Sequence, residues 1–433
     1  MGHAAADRRL HHEPADCMSS PRLLSAGAAG VLFATALCAV TLYARRMETR
    51  YVHTLAPQMF LQKHQGVALQ RVAFRQADLL PIYGSSELNV RNPYHPSAFF
   101  REYPTGFTVF PVGNVGSTSL IWLQALAGVG SGLRGRKVVL SLPPGWFMNE
   151  ALDPHAYAAN FSHVQASELV FSTQLSFAVK QAAARRMLAY PATVANDPLL
   201  RFALERLADA SLGSRILYYA ALPLGKLHNL ALRVQDDWEM LLFLHAQLGL
   251  SSVQRQRRDV DWTSVLSRAL EEAQRKAGRN PFGFEKAFWT ERAPEIARQK
   301  GLYPREAVLG SLERSAEWAD LGLLLRVIGE LGGKPLILSM PMNGAYYDYL
   351  GVDAEARRVY YDRLRDVAGA HAVPVIDFRD HDSDKFFVID TAFHLSDSGW
   401  TYYDRVLDAF FHGQRADNTQ SSWLGPASPR GPS

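Results

Sequence analysis

Serine, histidine and aspartate can together build an acyl-transfer site, and two short stretches of this chain bring them forward. The first is Ile82-Tyr83-Gly84-Ser85-Ser86-Glu87-Leu88. The apolar run 77–83 reads as a short buried strand, which a glycine and two serines stop abruptly. A serine at the carboxyl end of a strand, next to a glycine that permits a tight turn, is held out of the sheet as a nucleophile must be. Ser86 is the candidate. The second stretch, 388–400, holds Asp390, His394 and Asp397. An imidazole must take the serine proton, and a carboxylate must fix the imidazole's tautomer and stabilise its cation. Asp390 stands four residues before His394 and Asp397 three after it, so one loop can deliver base and acid together. Spacing leaves both carboxylates eligible. The plain alternatives are loop polarity for Gly-Ser-Ser and a solvated surface pair for Asp-x-x-x-His.

An acyl-transfer site also needs donors for an oxyanion. The Ser86 N–H is one candidate. The glycine-bearing turn Gly113-Asn114-Val115-Gly116-Ser117-Thr118 offers more: the Gly116 N–H, the Asn114 amide and the neighbouring Ser117. Turn formation alone also explains Gly113 and Gly116. Two further histidines are eligible bases. His95 sits in a proline-framed loop that favours a structural hydrogen bond, and His381 lies among Asp380, Asp382 and Asp384, which read as a solvated acidic turn.

The elements that must position these groups follow an α/β rhythm. Strands are expected at 77–83, 107–112, 137–142, 334–340 and 373–378, the first four each followed by Gly or Pro. Amphipathic helices separate the late strands, for example 316–331, and another is expected over 400–411. This pattern predicts an open parallel sheet with its site at the carboxyl edge, in an α/β domain spanning 77–413. Residues from about 151 to 310 break the rhythm and read as an α-helical insertion. It includes the apolar stretches 216–224 and 238–250, which face the sheet, a membrane or a partner.

The 433 residues, 48% of them hydrophobic, supply a sizeable core, and the net charge of +4 is only mildly basic. No basic block interleaved with aromatics argues for nucleic acid. Both cysteines, Cys17 and Cys38, precede the domain, which excludes a thiol nucleophile, a zinc cluster or a disulfide framework within it. No cofactor and no metal site is expected. Residues 23–43 contain no charge, and that length suits a membrane-crossing helix. A retained signal anchor fits better than a cleaved signal, because Arg45 and Arg46 follow directly. Three arginines stand on each side within reach of the span, so charge does not orient it. Segment 1–22 reads as a disordered segment, 44–76 as a helical stalk with Pro57 as a kink, and 414–433 as a disordered tail.

Several motifs in order along the chain resemble the DltD family of teichoic acid D-alanylation. They are Gly84-Ser85-Ser86-Glu87-Leu88, Asn92-Pro93-Tyr94-His95-Pro96, Gly116-Ser117-Thr118 and Pro144-Gly145-Trp146-Phe147. Asn280-Pro281-Phe282-Gly283, Asn343-Gly344-Ala345-Tyr346-Tyr347-Asp348 and the stretch His394 to Trp400 continue the series. The resemblance implies a variant of the three-layer α/β/α SGNH (GDSL-type) hydrolase fold, anchored by one transmembrane helix with the domain outside the cytoplasmic membrane. It implies acyl transfer through Ser86 with His394 as base, to teichoic acid or another anionic envelope glycan. The implied partners are the membrane-bound O-acyltransferase of the pathway and, indirectly, the D-alanyl carrier protein. In the family the acid usually precedes the histidine by three positions, where this chain has Thr391. Asp390 is one residue further back.

Overall fold

The computed structural model describes residues 20–246 and 257–414, with side chains from 25 to 245 and from 257 to 414. The expected disorder of 1–22 and 414–433, Cys17, and the end of the apolar stretch 238–250 fall almost wholly outside these residues.

The chain opens with α1 (Ser20–Leu55), one unbroken helix of 36 residues that is long and apolar enough to cross a membrane. Residues 25–36 are exposed on every side, and Val31, Leu32 and Phe33 expose 67–71% of their surface. From Ala44 onward the same helix is packed, with Met47, Val52 and Leu55 buried. It stops at Leu55, two residues before Pro57, which has no N–H to continue it. Two short helices, α2 (Leu61–Gln65) and α3 (Ala68–Arg75), then fold back onto the domain. Segment 44–76 is thus helical as read, and it packs against the core. Its apolar stripe of Val52, Leu55, Leu69 and Phe74 is part of that core.

Five strands form one parallel sheet in the order β2-β1-β3-β4-β5: β1 (Leu79–Gly84), β2 (Thr108–Gly113), β3 (Lys137–Leu142), β4 (Lys334–Ser339) and β5 (Val375–Ile376). Their near-continuous Val, Ile, Leu and Phe content suits strands covered on both faces, and β1 is buried at every position. The fifth strand is far shorter than 373–378. Ala372 and Phe378 adopt positive φ on either side of it and turn the chain out of the extended conformation.

The crossovers are α4 (Pro96–Glu102) from β1 to β2 and α5 (Ser119–Val129) from β2 to β3. Between β3 and β4 the described residues form helices joined by loops, with no strand among them: α6 (Pro154–Asn160), α7 (His163–Val170), α8 (Phe177–Met187), α9 (Pro198–Ala208), α10 (Leu212–Ala246), α11 (Trp262–Ala277), α12 (Lys286–Ala297), α13 (Arg305–Arg314) and α14 (Glu317–Leu331). Then α15 (Gly344–Leu350) and α16 (Ala354–Gly369) precede β5, and α17 (Asp397–Phe411) ends the fold. The last helix begins three residues earlier than 400 because Ser396 caps it, its Oγ accepting the Gly399 N–H at 3.1 Å.

Strand order reverses about β1: the chain leaves β1 to one side to make β2, then crosses back to β3 on the other. In a doubly wound sheet this switch point opens a crevice at the carboxyl ends of the strands. Ser86 lies two residues past the carboxyl end of β1.

Candidate active site

Two glycines shape the nucleophile turn. Gly84 and Gly113 are paired residues at the ends of β1 and β2. A Cβ on Gly113 would lie 2.2 Å from the Gly84 carbonyl oxygen, and one on Gly84 would lie 2.3 Å from Glu87 Oε1. Neither position tolerates a side chain, and the space is taken by the Glu87 carboxylate folding under the turn. Glu87 is buried, and both its oxygens accept the Ser85 N–H, at 2.9 and 3.0 Å. Burial raises its pKa, opposed by that N–H bond. Ser86 then opens a short 3₁₀ turn, Ser86–Asn89, where backbone N–H groups have no partner within the helix.

The other half of the site is a narrow loop between β5 and α17. Val388 and Leu395 form an antiparallel bridge, and the Ile389 N–H donates to the His394 carbonyl at 2.9 Å. Within this loop Asp390 Oδ1 accepts the Ala392 N–H at 2.9 Å and the His394 N–H at 3.3 Å. Phe393, between aspartate and histidine, sits at φ +64 in the left-handed region, a strained backbone for a non-glycine residue. Its ring rests on Gly145 in the turn after β3, where an added Cβ would approach it to 2.9 Å.

These two halves bring Ser86, His394 and Asp390 together. His394 Nδ1 lies 2.6 Å from Asp390 Oδ2, and Nε2 lies 3.0 Å from Ser86 Oγ. A carboxylate only accepts, so Nδ1 carries the proton, and the Nε2 lone pair is left to accept the serine O–H. Burial alone would lower the His394 pKa. The hydrogen bond and charge of Asp390, with the charge of Glu87, outweigh that and hold it above the ordinary histidine value. Of the two carboxylates that spacing allowed, Asp397 is turned elsewhere: it is buried at the start of α17 and pairs with Lys276 at 2.8 Å.

The turn after β2 holds its residues differently from a row of free donors. Gly116, at φ +77, donates its N–H to Ser85 Oγ at 3.1 Å, and that hydroxyl donates to the Asn114 carbonyl at 3.3 Å. The Gly116 donor expected to face an oxyanion is therefore covered by the first serine of the pair. Ser117 is fully buried, its Oγ accepting the Asn114 N–H at 3.1 Å and donating to Asn160 Oδ1 at 3.0 Å. Asn160 also meets His64 Nε2 at 2.8 Å and donates to the Val115 carbonyl at 2.9 Å. Burial holds the His64 pKa down at about 4, so its ring is neutral there.

The remaining histidines stand apart. His95 caps α4, its Nδ1 accepting the Ser97 N–H at 3.2 Å, and it packs on Trp400. His381 packs against Phe387 and Tyr402 and lies 3.8 Å from Asp384.

Two asparagine motifs brace the histidine loop from the helical segment and from β4. Asn280 Oδ1 accepts the Phe282 and Phe284 N–H groups, and its amide donates to the Ala277 and Phe284 carbonyls. This folds 280–285 so that the Glu285 N–H donates to the Ile389 carbonyl at 2.9 Å. Asn343 Nδ2 donates to the Phe282 carbonyl at 2.7 Å while its Oδ1 caps α15. Sequence reasoning did not assign roles to Ser85, Glu87, His64 or Asn160. Glu87 was visible as an acid beside the nucleophile; His64 and Asn160 reach the turn from distant segments that no spacing links.

The sequence model of a family described as "DltD protein" matches residues 56–412. The chain belongs to the DltD family. The Bacillus subtilis (strain 168) protein named Protein DltD is 30% identical over 362 residues, covering 82% of this chain and 87% of that protein. Protein DltD of Staphylococcus aureus is 25% identical, covering 81% and 85%. That of Lacticaseibacillus rhamnosus is 23% identical, covering 89% and 90%. The DltD match begins at the end of α1 and includes the serine turn, both asparagine motifs and the histidine loop.

Proposed function

We propose that this DltD-family chain is an extracytoplasmic serine acyltransferase that moves D-alanyl groups onto an anionic envelope polymer, teichoic acid or a related glycan. The observation that carries the reading is the Ser86–His394–Asp390 relay, with contacts of 3.0 and 2.6 Å at the switch point of the sheet. Layering fits an SGNH-like three-layer domain: α5, α14 and α16 pack side by side, α4 and α17 pack together, and helices α6 to α13 form the insertion. The exposed apolar part of α1 serves as a signal anchor, with the domain on the outer side of the cytoplasmic membrane.

The reaction is a transesterification. Ser86 Oγ attacks the carbonyl carbon of a D-alanyl ester or thioester, and its proton passes to His394 Nε2. Asp390 holds the ring and stabilises the imidazolium. The tetrahedral oxyanion is met by the Ser86 N–H and, once the Ser85 hydroxyl rotates away, by the Gly116 N–H. Collapse expels the donor's oxygen or sulfur, which takes the proton from His394. A polymer hydroxyl then gives its proton to Nε2, attacks the acyl-serine, and releases Ser86. Charge and redox state balance without a cofactor. The membrane-bound O-acyltransferase of the pathway supplies the acyl group, loaded originally on the D-alanyl carrier protein.

A cell carrying Ser86→Ala as its sole copy, at unchanged protein level, is expected to lose ester-linked D-alanine, measured after mild alkaline release from the envelope. Unchanged ester content contradicts the reading. An altered acetyl content with alanine unchanged selects envelope O-acetyl transfer on the same site.

A further inference from the structure

Helix α10 buries one side and leaves the other bare. On the buried side the Tyr218 hydroxyl donates to the Val170 carbonyl at 2.7 Å, and Asp236 accepts the Val67 and Ala68 N–H groups at 2.8 Å. On the opposite side Ile216, Leu224, Leu227, Leu230, Trp238 and Leu242 each expose 48–63% of their surface. At 3.6 residues per turn these six fall in one sector about 120° wide, on a helix about 52 Å long. From Leu212 to Leu242 every other residue of that sector is apolar or glycine: Gly213, Ala220, Pro223, Ala231, Val234 and Leu241. A water-facing helix surface carries charge; this one carries none over about eight turns.

Three observations choose lipid as its cover. With α1 as anchor, its bare half puts a bilayer beside the domain. Helix α10 packs against α1, and Asp237, at the margin of the apolar sector, pairs with Arg45 at 3.9 Å. Arg45 is two residues past the end of the uncharged run at Tyr43, so the sector starts where that run meets water. Arg215 and Lys226 are exposed on the flank, where lipid phosphates would lie, and Tyr219 and Trp238 are aromatics of the kind that settle at a membrane interface. The sector itself also lacks the hydrogen-bonding groups that a protein interface carries.

We propose that α10 lies along the outer surface of the membrane with its apolar side among the acyl chains, a second membrane contact beside α1. This rests on α1 being a membrane anchor. Two membrane contacts would fix the tilt of the domain, and with it the height at which the serine turn meets donor and acceptor.

The test uses the full chain with Cys17→Ser and Cys38→Ser, carrying one environment-sensitive fluorophore on Leu227→Cys, Phe33→Cys or Glu291→Cys. Each is reconstituted in phosphatidylglycerol–phosphatidylethanolamine vesicles containing a doxyl-labelled lipid quencher. Emission at positions 33 and 227 is expected to fall at least twofold, and emission at the exposed α12 position 291 to stay unchanged. Quenching at 33 without quenching at 227 overturns the proposal while leaving the anchor intact. If position 227 is then also shielded from aqueous iodide, a second copy or another protein covers the helix instead of lipid. Absence of quenching at 33 overturns the anchor reading and this proposal with it.

Discussion

At the scale of single residues, the geometry sets what Ser86, His394 and Asp390 can each donate and accept. Only Nδ1 can give a proton to Asp390, so the tautomer that leaves Nε2 basic is fixed by a contact of 2.6 Å. Asp390→Asn reverses that preference, since an amide can donate to Nδ1 and leave the proton on Nε2. A loss of turnover on the order of 10³–10⁴-fold with little change in KM is expected from steady-state kinetics. The raised His394 pKa sets the pH dependence. The base works when neutral, so kcat/KM should climb with pH through an inflection above the ordinary value of about 6.5. In Glu87→Gln, which removes a neighbouring negative charge, the inflection should move down. An unmoved inflection would show that Glu87 does not act on the histidine. The same shift has a stability consequence of opposite sense. A histidine whose folded pKa is raised contributes stability that is full below its unfolded value and is lost as pH rises through the folded one.

At the scale of elements, the site depends on backbone approaches that side chains would block. Gly113→Ala would place a methyl 2.2 Å from the Gly84 carbonyl, between the two strand ends that shape the serine turn. A destabilisation of about 1–3 kcal/mol is expected from denaturant unfolding, with activity lost before the fold is. Asn280→Ala removes four hydrogen bonds that shape 280–285 and, through Glu285, support the histidine loop. It should lower kcat more than KM, and a thermal melt should show a cost of about 1–3 kcal/mol. Much of this was legible in the sequence, because strand-end glycines and a serine or asparagine after an apolar run are local signals. The serine turn, the histidine loop and the strands β1 to β4 were read that way. What was not legible is long-range or conformational. Nothing in the spacing tells that Asn160 and His64 reach Ser117, or that Ser85 covers the Gly116 N–H. The shortness of β5 follows from positive φ at Ala372 and Phe378, residues whose types do not announce it.

At the scale of the whole molecule, one unbroken helix joins the apolar span to the packed domain. Residues 44–76 were read from helical spacing as a stalk, and of its apolar stripe Val52 and Leu55 belong to the main core, with Met59 and Phe60 packed against it. Helical spacing shows that a stripe is apolar without showing what it faces. The packed half of α1 is held against the domain by α3 and α10. Cys38 is exposed on the apolar half of α1 and reports on that segment directly. In a Cys17→Ser chain held in intact vesicles, Cys38 should resist a charged maleimide and react once detergent replaces lipid. Equal labelling before and after detergent would place that segment in water.

The central claim is that Ser86 is an activated nucleophile, and mass spectrometry of the full-length protein in detergent after fluorophosphonate treatment tests it most directly. The account predicts one phosphonyl adduct, on Ser86, that disappears in His394→Ala while Ser85→Ala retains it. A folded protein that takes no adduct at Ser86, or an adduct that persists without His394, would contradict it.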